Sequence, residues 1–130
     1  MTNRKIMIVD DSPTERAVVE RIVRKGGYEV VMVASGEAAV ERSAADLPDV
    51  ILMDVVMPGL NGFQATRLIT REERTKHIPV VICSTKDAET DVIWGLRQGA
   101  RDYLVKPINE RELLEKIRLL VIEPVTGSVH

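Results

Sequence analysis

Ile6-Met7-Ile8-Val9-Asp10-Asp11-Ser12-Pro13-Thr14-Glu15 carries three instructions in order. The first four residues are an aliphatic run of the kind a strand buried on both faces requires. The next two are carboxylates that end it. Ser12 then offers an N-cap oxygen, Pro13 suits the first helical position, and Glu15 stands where a capping box places its acid. The stretch therefore reads as a strand, an acidic break and a helix.

The same alternation recurs along the chain. Tyr28 to Val33, Val50 to Met53, Val80 to Cys83 and Tyr103 to Val105 are further short runs rich in Val and Ile. Stretches long enough for amphipathic helices separate them. Ser35, Asn61 and Asn109 (with Glu112 three residues on) mark later helix starts, and Gly26-Gly27 and Gly99 mark helix ends. Repeated β-then-α units predict an α/β fold around a parallel sheet.

Composition narrows the function classes. The 130 residues fit one domain, expected over residues 1–122, with a short tail at 123–130 that carries Pro124, Gly127 and Ser128. On that reading no effector domain is attached. The 18 Lys and Arg against 20 Asp and Glu give a net charge of −2, which argues against non-specific nucleic-acid binding. The 3 % aromatic content argues against base-stacking platforms. No apolar run approaches the ~18 residues of a membrane span, and Asp10-Asp11 interrupt any signal-peptide core. The single Cys83 requires no oxidising compartment, so the expected location is the cytoplasm.

In an open parallel α/β sheet, ligands bind outside the carboxyl ends of the strands. Strand one ends in Asp10-Asp11, strand three in Asp54 and strand four in Ser84-Thr85, while Lys106-Pro107 follows strand five. If strands one and three are neighbours, three carboxylates converge, and like charges at that range repel. Mg²⁺ resolves this, because it takes a few carboxylates together with waters and a phosphate. No nearby His or Cys favours zinc. One carboxylate is then free to attack phosphorus and form an aspartyl phosphate, with Lys106 and the Ser84 hydroxyl placed for the phosphoryl oxygens. Taken singly each residue has a plainer reading: Asp11 as a helix cap, Asp54 as a turn residue, Ser84 as a strand-end hydroxyl, Lys106 as a solvated lysine. Their joint placement at one sheet end favours the site.

Ile93, Leu96 and Ala100 recur at i, i+3 and i+7 and predict the buried stripe of helix four, with Trp94 half-buried at its edge. An interface role for Trp94 is the competing reading. His77 and His130 show no sign of acting as phosphodonors.

Four motifs carry a resemblance: Val9-Asp10-Asp11-Ser12, Met53 through Gly62, Cys83-Ser84-Thr85, and Tyr103-Leu104-Val105-Lys106-Pro107. In this order and spacing, over about residues 5 to 120, the chain resembles a response-regulator receiver domain, the CheY-like phosphoacceptor module of two-component signalling. The resemblance implies a flavodoxin-like (βα)5 doubly wound fold with strand order 2-1-3-4-5. It implies Asp54 as phosphoacceptor. It implies Mg²⁺ held by Asp10, Asp11 and Asp54 together with the backbone carbonyl of Val56, Asp10 chiefly through water. Ser84 takes the hydroxyl position and Tyr103 the aromatic switch position. Lys106 takes the lysine position, with a cis bond to Pro107. A histidine kinase is the implied phosphodonor, and a downstream protein is read through the face of helix four, strand five and helix five. A monomer is expected, with dimerisation left open.

Asp11 through Glu15, Val56 through Arg67 and Gly95 through Tyr103 sharpen the resemblance to stand-alone receivers of the chemotaxis-like systems that control type IV pili and twitching motility. The competing classes are a flagellar chemotaxis messenger or phosphate sink, a small aspartyl phosphatase, an FMN carrier and an unphosphorylated binding module. Adjacent Asp10-Asp11 departs from the Asp-x-Asp of the phosphatases and repels the phosphate an FMN carrier must cradle.

Overall fold

The computed structural model describes the backbone of residues 4–127 and the side chains of residues 4–122. Ten elements alternate: β1 (Lys5–Val9), α1 (Pro13–Lys25), β2 (Glu29–Val33), α2 (Gly36–Asp46), β3 (Val50–Met53), α3 (Gly62–Arg71), β4 (Val80–Ser84), α4 (Glu89–Arg97), β5 (Asp102–Val105) and α5 (Glu110–Gly127). All strand pairs are parallel, in the order β2-β1-β3-β4-β5. The expected fold class and strand order are both found. The tail expected at 123–130 divides: backbone through Gly127 continues α5, and residues 128–130 lie outside those described. Among the described residues, no helix is long and apolar enough to cross a membrane.

Both faces of the sheet are covered because each strand presents alternate residues to opposite sides. Ile6 and Ile8 of β1 join Leu52, Val81 and Leu104 under α1 and α5, against Ile22, Val23, Leu113 and Ile117. Met7 and Val9 face the other way, against Ala39 of α2 and Ala65 and Ile69 of α3. Each fully buried aliphatic side chain of this size contributes roughly 1.5–3 kcal/mol. Cys83 lies in the first of these cores, and burial pushes its thiol up to about 12. Native protein treated with iodoacetamide at mildly alkaline pH is therefore expected to remain unmodified, with alkylation by intact mass only after denaturation.

The helix caps follow the sequence with one exception. The side chains of Ser12, Ser35 and Asn61 accept from the third backbone N–H beyond them, and Asn61 with Gln64 forms a full capping box. Asn109 accepts from the Glu112 N–H at 2.8 Å. The box expected at Ser12 is completed differently. The Ser12 N–H donates to Asp10 Oδ1 at 2.9 Å, and the Glu15 carboxylate pairs with Lys106 instead.

Helix α4 corrects a second expectation. Ile93 and Leu96 are each 44 % exposed and Trp94 is 49 % exposed, so the 93/96 pair faces outward. Ala100 is buried but lies beyond the helix. The seat of α4 is Gly95, where an added Cβ would stand 2.8 Å from Ile82 Cδ1 and 3.1 Å from the Tyr103 ring. An apolar period identifies a stripe but not which side of the helix meets the sheet, and here a glycine decides it.

Candidate functional site at the carboxyl ends of the strands

Strand register assembles the site. Val9 pairs with Met53, and the Asp54 N–H donates to the Val9 carbonyl at 2.9 Å, so Asp10 and Asp54 leave adjacent strands side by side. Ser84 pairs with Val105, and the Lys106 N–H donates to the Ser84 carbonyl at 2.8 Å. All the chemistry-bearing residues thus lie at the carboxyl end of the sheet. Side-chain oxygens of Asp10, Asp11 and Asp54 fall within 4.8 Å of one another, with Asp10 and Asp54 buried and Asp11 exposed.

Asp10 is fixed through both carboxylate oxygens. Oδ1 accepts from the Ser12 N–H, and Oδ2 accepts from Lys106 Nζ at 2.9 Å. Its backbone carbonyl accepts from Arg16 Nη1 at 2.6 Å. Lys106 reaches across the sheet end to Asp10, to Asp54 Oδ1 at 3.4 Å and to Glu15. Burial alone would push the Lys106 ammonium down. Hydrogen bonds to Glu15 and Asp10, with the charges of Asp54 and Asp10, hold it well above its ordinary value. The Asp54 carboxyl is raised chiefly by burial and further by Asp10, against the opposing pull of Lys106.

Lys106 is the one cation that hydrogen-bonds to both buried carboxylates among the described residues. Removing one partner of a buried ion pair costs ~3–5 kcal/mol. Lys106→Met is therefore expected to lose roughly 3 kcal/mol in urea unfolding at neutral pH without divalent metal. The loss should shrink in acid, where the carboxylates are neutral and need no cation. A loss independent of pH would point to packing of the lysine stem instead.

Ser84 is fully buried, and its hydroxyl oxygen accepts from the Lys86 N–H at 3.1 Å. Tyr103 turns inward beneath the β4–α4 loop, and its hydroxyl donates to the Lys86 carbonyl at 2.6 Å. Burial raises its phenol, partly opposed by a hydrogen bond with Ser84. Val56 lies in the loop after Asp54 with its side chain exposed. The Lys106–Pro107 bond is cis, as the resemblance implied.

Three further contributors were not legible in the sequence. Glu15 reads as a helix cap, and its bond to Lys106 spans 91 positions. Lys86 acts through its backbone, holding Ser84 with its N–H and Tyr103 with its carbonyl. Glu37 accepts from the Leu60 N–H at 2.9 Å and so ties α2 to the loop between Asp54 and α3. No sequence spacing signals any of these contacts.

A strand-end acid cluster bridged by one lysine, on a doubly wound sheet of this order, defines a class. Residues 6–118 match the family described as the response regulator receiver domain, and the chain belongs to that family. It is 51 % identical over 117 residues to Protein PilH of Pseudomonas aeruginosa, covering 90 % of this chain and 97 % of that protein. It is also 40 % identical over 116 residues to the response regulator PleD of Caulobacter vibrioides, of which it spans 26 %. Among solved structures, the receiver domain of a sensor histidine kinase from Pseudomonas aeruginosa PAO1 superposes with a TM-score of 0.86 at 32 % identity, covering 92 % of this chain and 98 % of that one. That structure holds a magnesium ion coordinated in its active-site cleft. Chemotaxis protein CheY4 of Vibrio cholerae gives 0.84 at 30 % identity, covering 92 % and 99 %.

Proposed function

We propose that this chain is a receiver that accepts a phosphoryl group on Asp54 from a histidine kinase in the cytoplasm. The observation that carries the proposal is the Asp10, Asp11 and Asp54 cluster with Lys106 hydrogen-bonded into it. An Asp54 carboxylate oxygen attacks the phosphorus of a phosphohistidine. The O–P bond forms as the N–P bond breaks, and the leaving histidine nitrogen keeps the electron pair. Lys106 and the Ser84 hydroxyl contact the phosphoryl oxygens, and the Asp54 position behind them fixes the line of attack.

The donor set fits Mg²⁺. It consists of hard carboxylate oxygens, two of them buried, with no imidazole or thiolate among the clustered side chains. Asp10, Asp11 and Asp54 would hold the ion, with the Val56 carbonyl as a further ligand. When bound, Mg²⁺ neutralises charge on the acidic cluster and on the transferred group.

Ser84 and Tyr103 form the switch in this reading, since both meet the loop at Lys86. Their rearrangement alters the face of α4, β5 and α5, where a downstream protein docks. Similarity to PilH at 51 % identity supports a place in a chemotaxis-like system that controls type IV pilus twitching. Turnover is confined to the chain's own phosphorylation and dephosphorylation, and the protein acts as a monomer.

The test is exposure to acetyl phosphate, and to phosphorylated candidate kinases, with Mg²⁺ or with EDTA. One phosphoryl adduct by intact mass, lost in EDTA, is expected. Absence of an adduct with every donor overturns the assignment. Deleting the gene should reduce the twitching zone; a swimming defect with normal twitching would move the chain to flagellar chemotaxis.

A further inference from the structure

Lys106 raises a question of donor supply. Its ammonium has three N–H donors and no more. Three carboxylates already claim it: Asp10, Asp54 and Glu15. A phosphoryl group on Asp54 brings several oxygens to a place where Lys106 spends one donor, so a second donor for it can come only from Asp10 or Glu15.

The three partners differ in how readily they leave. Asp54 carries the arriving group and so stays beside the lysine, and the Asp10 side chain is 4 % exposed, so a carboxylate released there gains little water. Asp10 is also tied through its other oxygen to the Ser12 N–H. Glu15 is 51 % exposed and lies outside the group of carboxylates that could share a metal ion. It lines an open cavity of about 390 Å³ with Val18, Thr85 and Ile108, which leaves its side chain room to turn into solvent. Its backbone N–H stays on Ser12 whatever the carboxylate does.

We propose that Glu15 is a resting-state competitor for Lys106, displaced when a phosphoryl group occupies Asp54. It is a positioning residue that acts through the lysine and sets how readily the site fills. The proposal rests on the phosphoacceptor reading above.

Beryllofluoride with Mg²⁺ tests it. The probe is added to wild type, to Glu15→Gln and Glu15→Ala, and to each variant combined with Lys106→Met. Affinity is read by titration and the Glu15 carboxyl by its ¹³C resonance. Both single variants are expected to bind about two- to fivefold tighter than wild type, the span of an ion pair with one exposed partner. Their affinity for Mg²⁺ alone should stay within about twofold, since the metal cluster excludes Glu15. The gain should vanish in the Lys106→Met background, and the wild-type Glu15 resonance should shift on saturation. Equal affinity in wild type and the Glu15 variants overturns the proposal. So does a gain that persists without Lys106, because that is a field effect of the lost charge. If no form responds to beryllofluoride at all, the phosphoacceptor reading itself falls.

Discussion

Asp54→Asn is expected to end phosphoryl acceptance and, without divalent metal, to make the protein more stable at neutral pH. The first effect follows from chemistry, since a carboxamide oxygen is a poor nucleophile and no second carboxylate stands in the same line. The adduct formed with acetyl phosphate should disappear by intact mass, and an undiminished adduct would move the acceptor elsewhere. The second effect follows from burial. Desolvation first, and the Asp10 charge after it, raise the Asp54 carboxyl. The folded state thus holds the Asp54 proton more tightly than the unfolded chain does. Stability from this group is greatest below its ordinary pKa and declines as pH rises through the folded value. Asparagine stays neutral throughout. Its melting temperature should exceed that of wild type by a few degrees at neutral pH, and the difference should close in acid. Lys106 keeps Asp10 and Glu15 as partners in the variant, so the substitution orphans no buried cation. Saturating Mg²⁺ should reverse the order, because wild type then gains binding free energy, ~2.7 kcal/mol at a hundredfold excess over Kd. A variant less stable than wild type at neutral pH in EDTA would mean that the Lys106 contact outweighs the desolvation of Asp54.

Gly62→Ala should be the most damaging small substitution in the chain. Gly62 opens α3 and donates its N–H to the Val55 carbonyl at 2.9 Å. A Cβ there would stand 1.9 Å from the Asp54 carbonyl oxygen and 2.8 Å from Val55 Cα. Those are backbone atoms of the segment that carries the acid cluster, and they cannot swing aside as a side chain can. The methyl group must push α3 away from the sheet or push Asp54 out of register with Asp10. We expect a loss of at least about 3 kcal/mol in urea unfolding, at the upper end for overpacking. Gly27→Ala is the contrast. Gly27 has φ of +90° with nothing within 4 Å of the added atom, so its cost is conformational, on the order of 1 kcal/mol. Similar losses in the two variants would show that the approach at Gly62 relaxes at little cost.

Much of this architecture was legible in the chain, for reasons that particular residues make plain. Strand positions followed from aliphatic runs because the three inner strands are buried almost throughout, as at Val50–Met53 and Val80–Ser84. Helix starts followed from Ser12, Ser35 and Asn61 because a cap is a contact across three residues, within reach of local reading. The cluster of Asp10, Asp11 and Asp54 was legible once β1 and β3 were neighbours. Contacts that close over long spans were not legible. Glu15 had a sound local role as the acid of a capping box, and the distant Lys106 took its carboxylate instead. Helix α4 misled for a related reason. Its apolar residues recur at helical spacing on the side away from the sheet, while a glycine, silent in any hydrophobic pattern, marks the side that packs.

That glycine seat has a consequence for how the sequence can change over time. Of the nine residues of α4, only Gly95 is buried. Substitutions at outward positions such as Ile93, Trp94 and Leu96 disturb little core, and surface changes of that kind usually alter stability by no more than ~0.5 kcal/mol. Apart from Gly95 and the half-buried Val92, which packs against the Ile82 and Tyr103 cluster, the helix is thus nearly free of the fold's demands. Related receivers in one cell share sheet, acids and lysine, and their signals stay separate only if their surfaces differ. The outer residues of such a helix are where divergence of that kind meets the least resistance from folding.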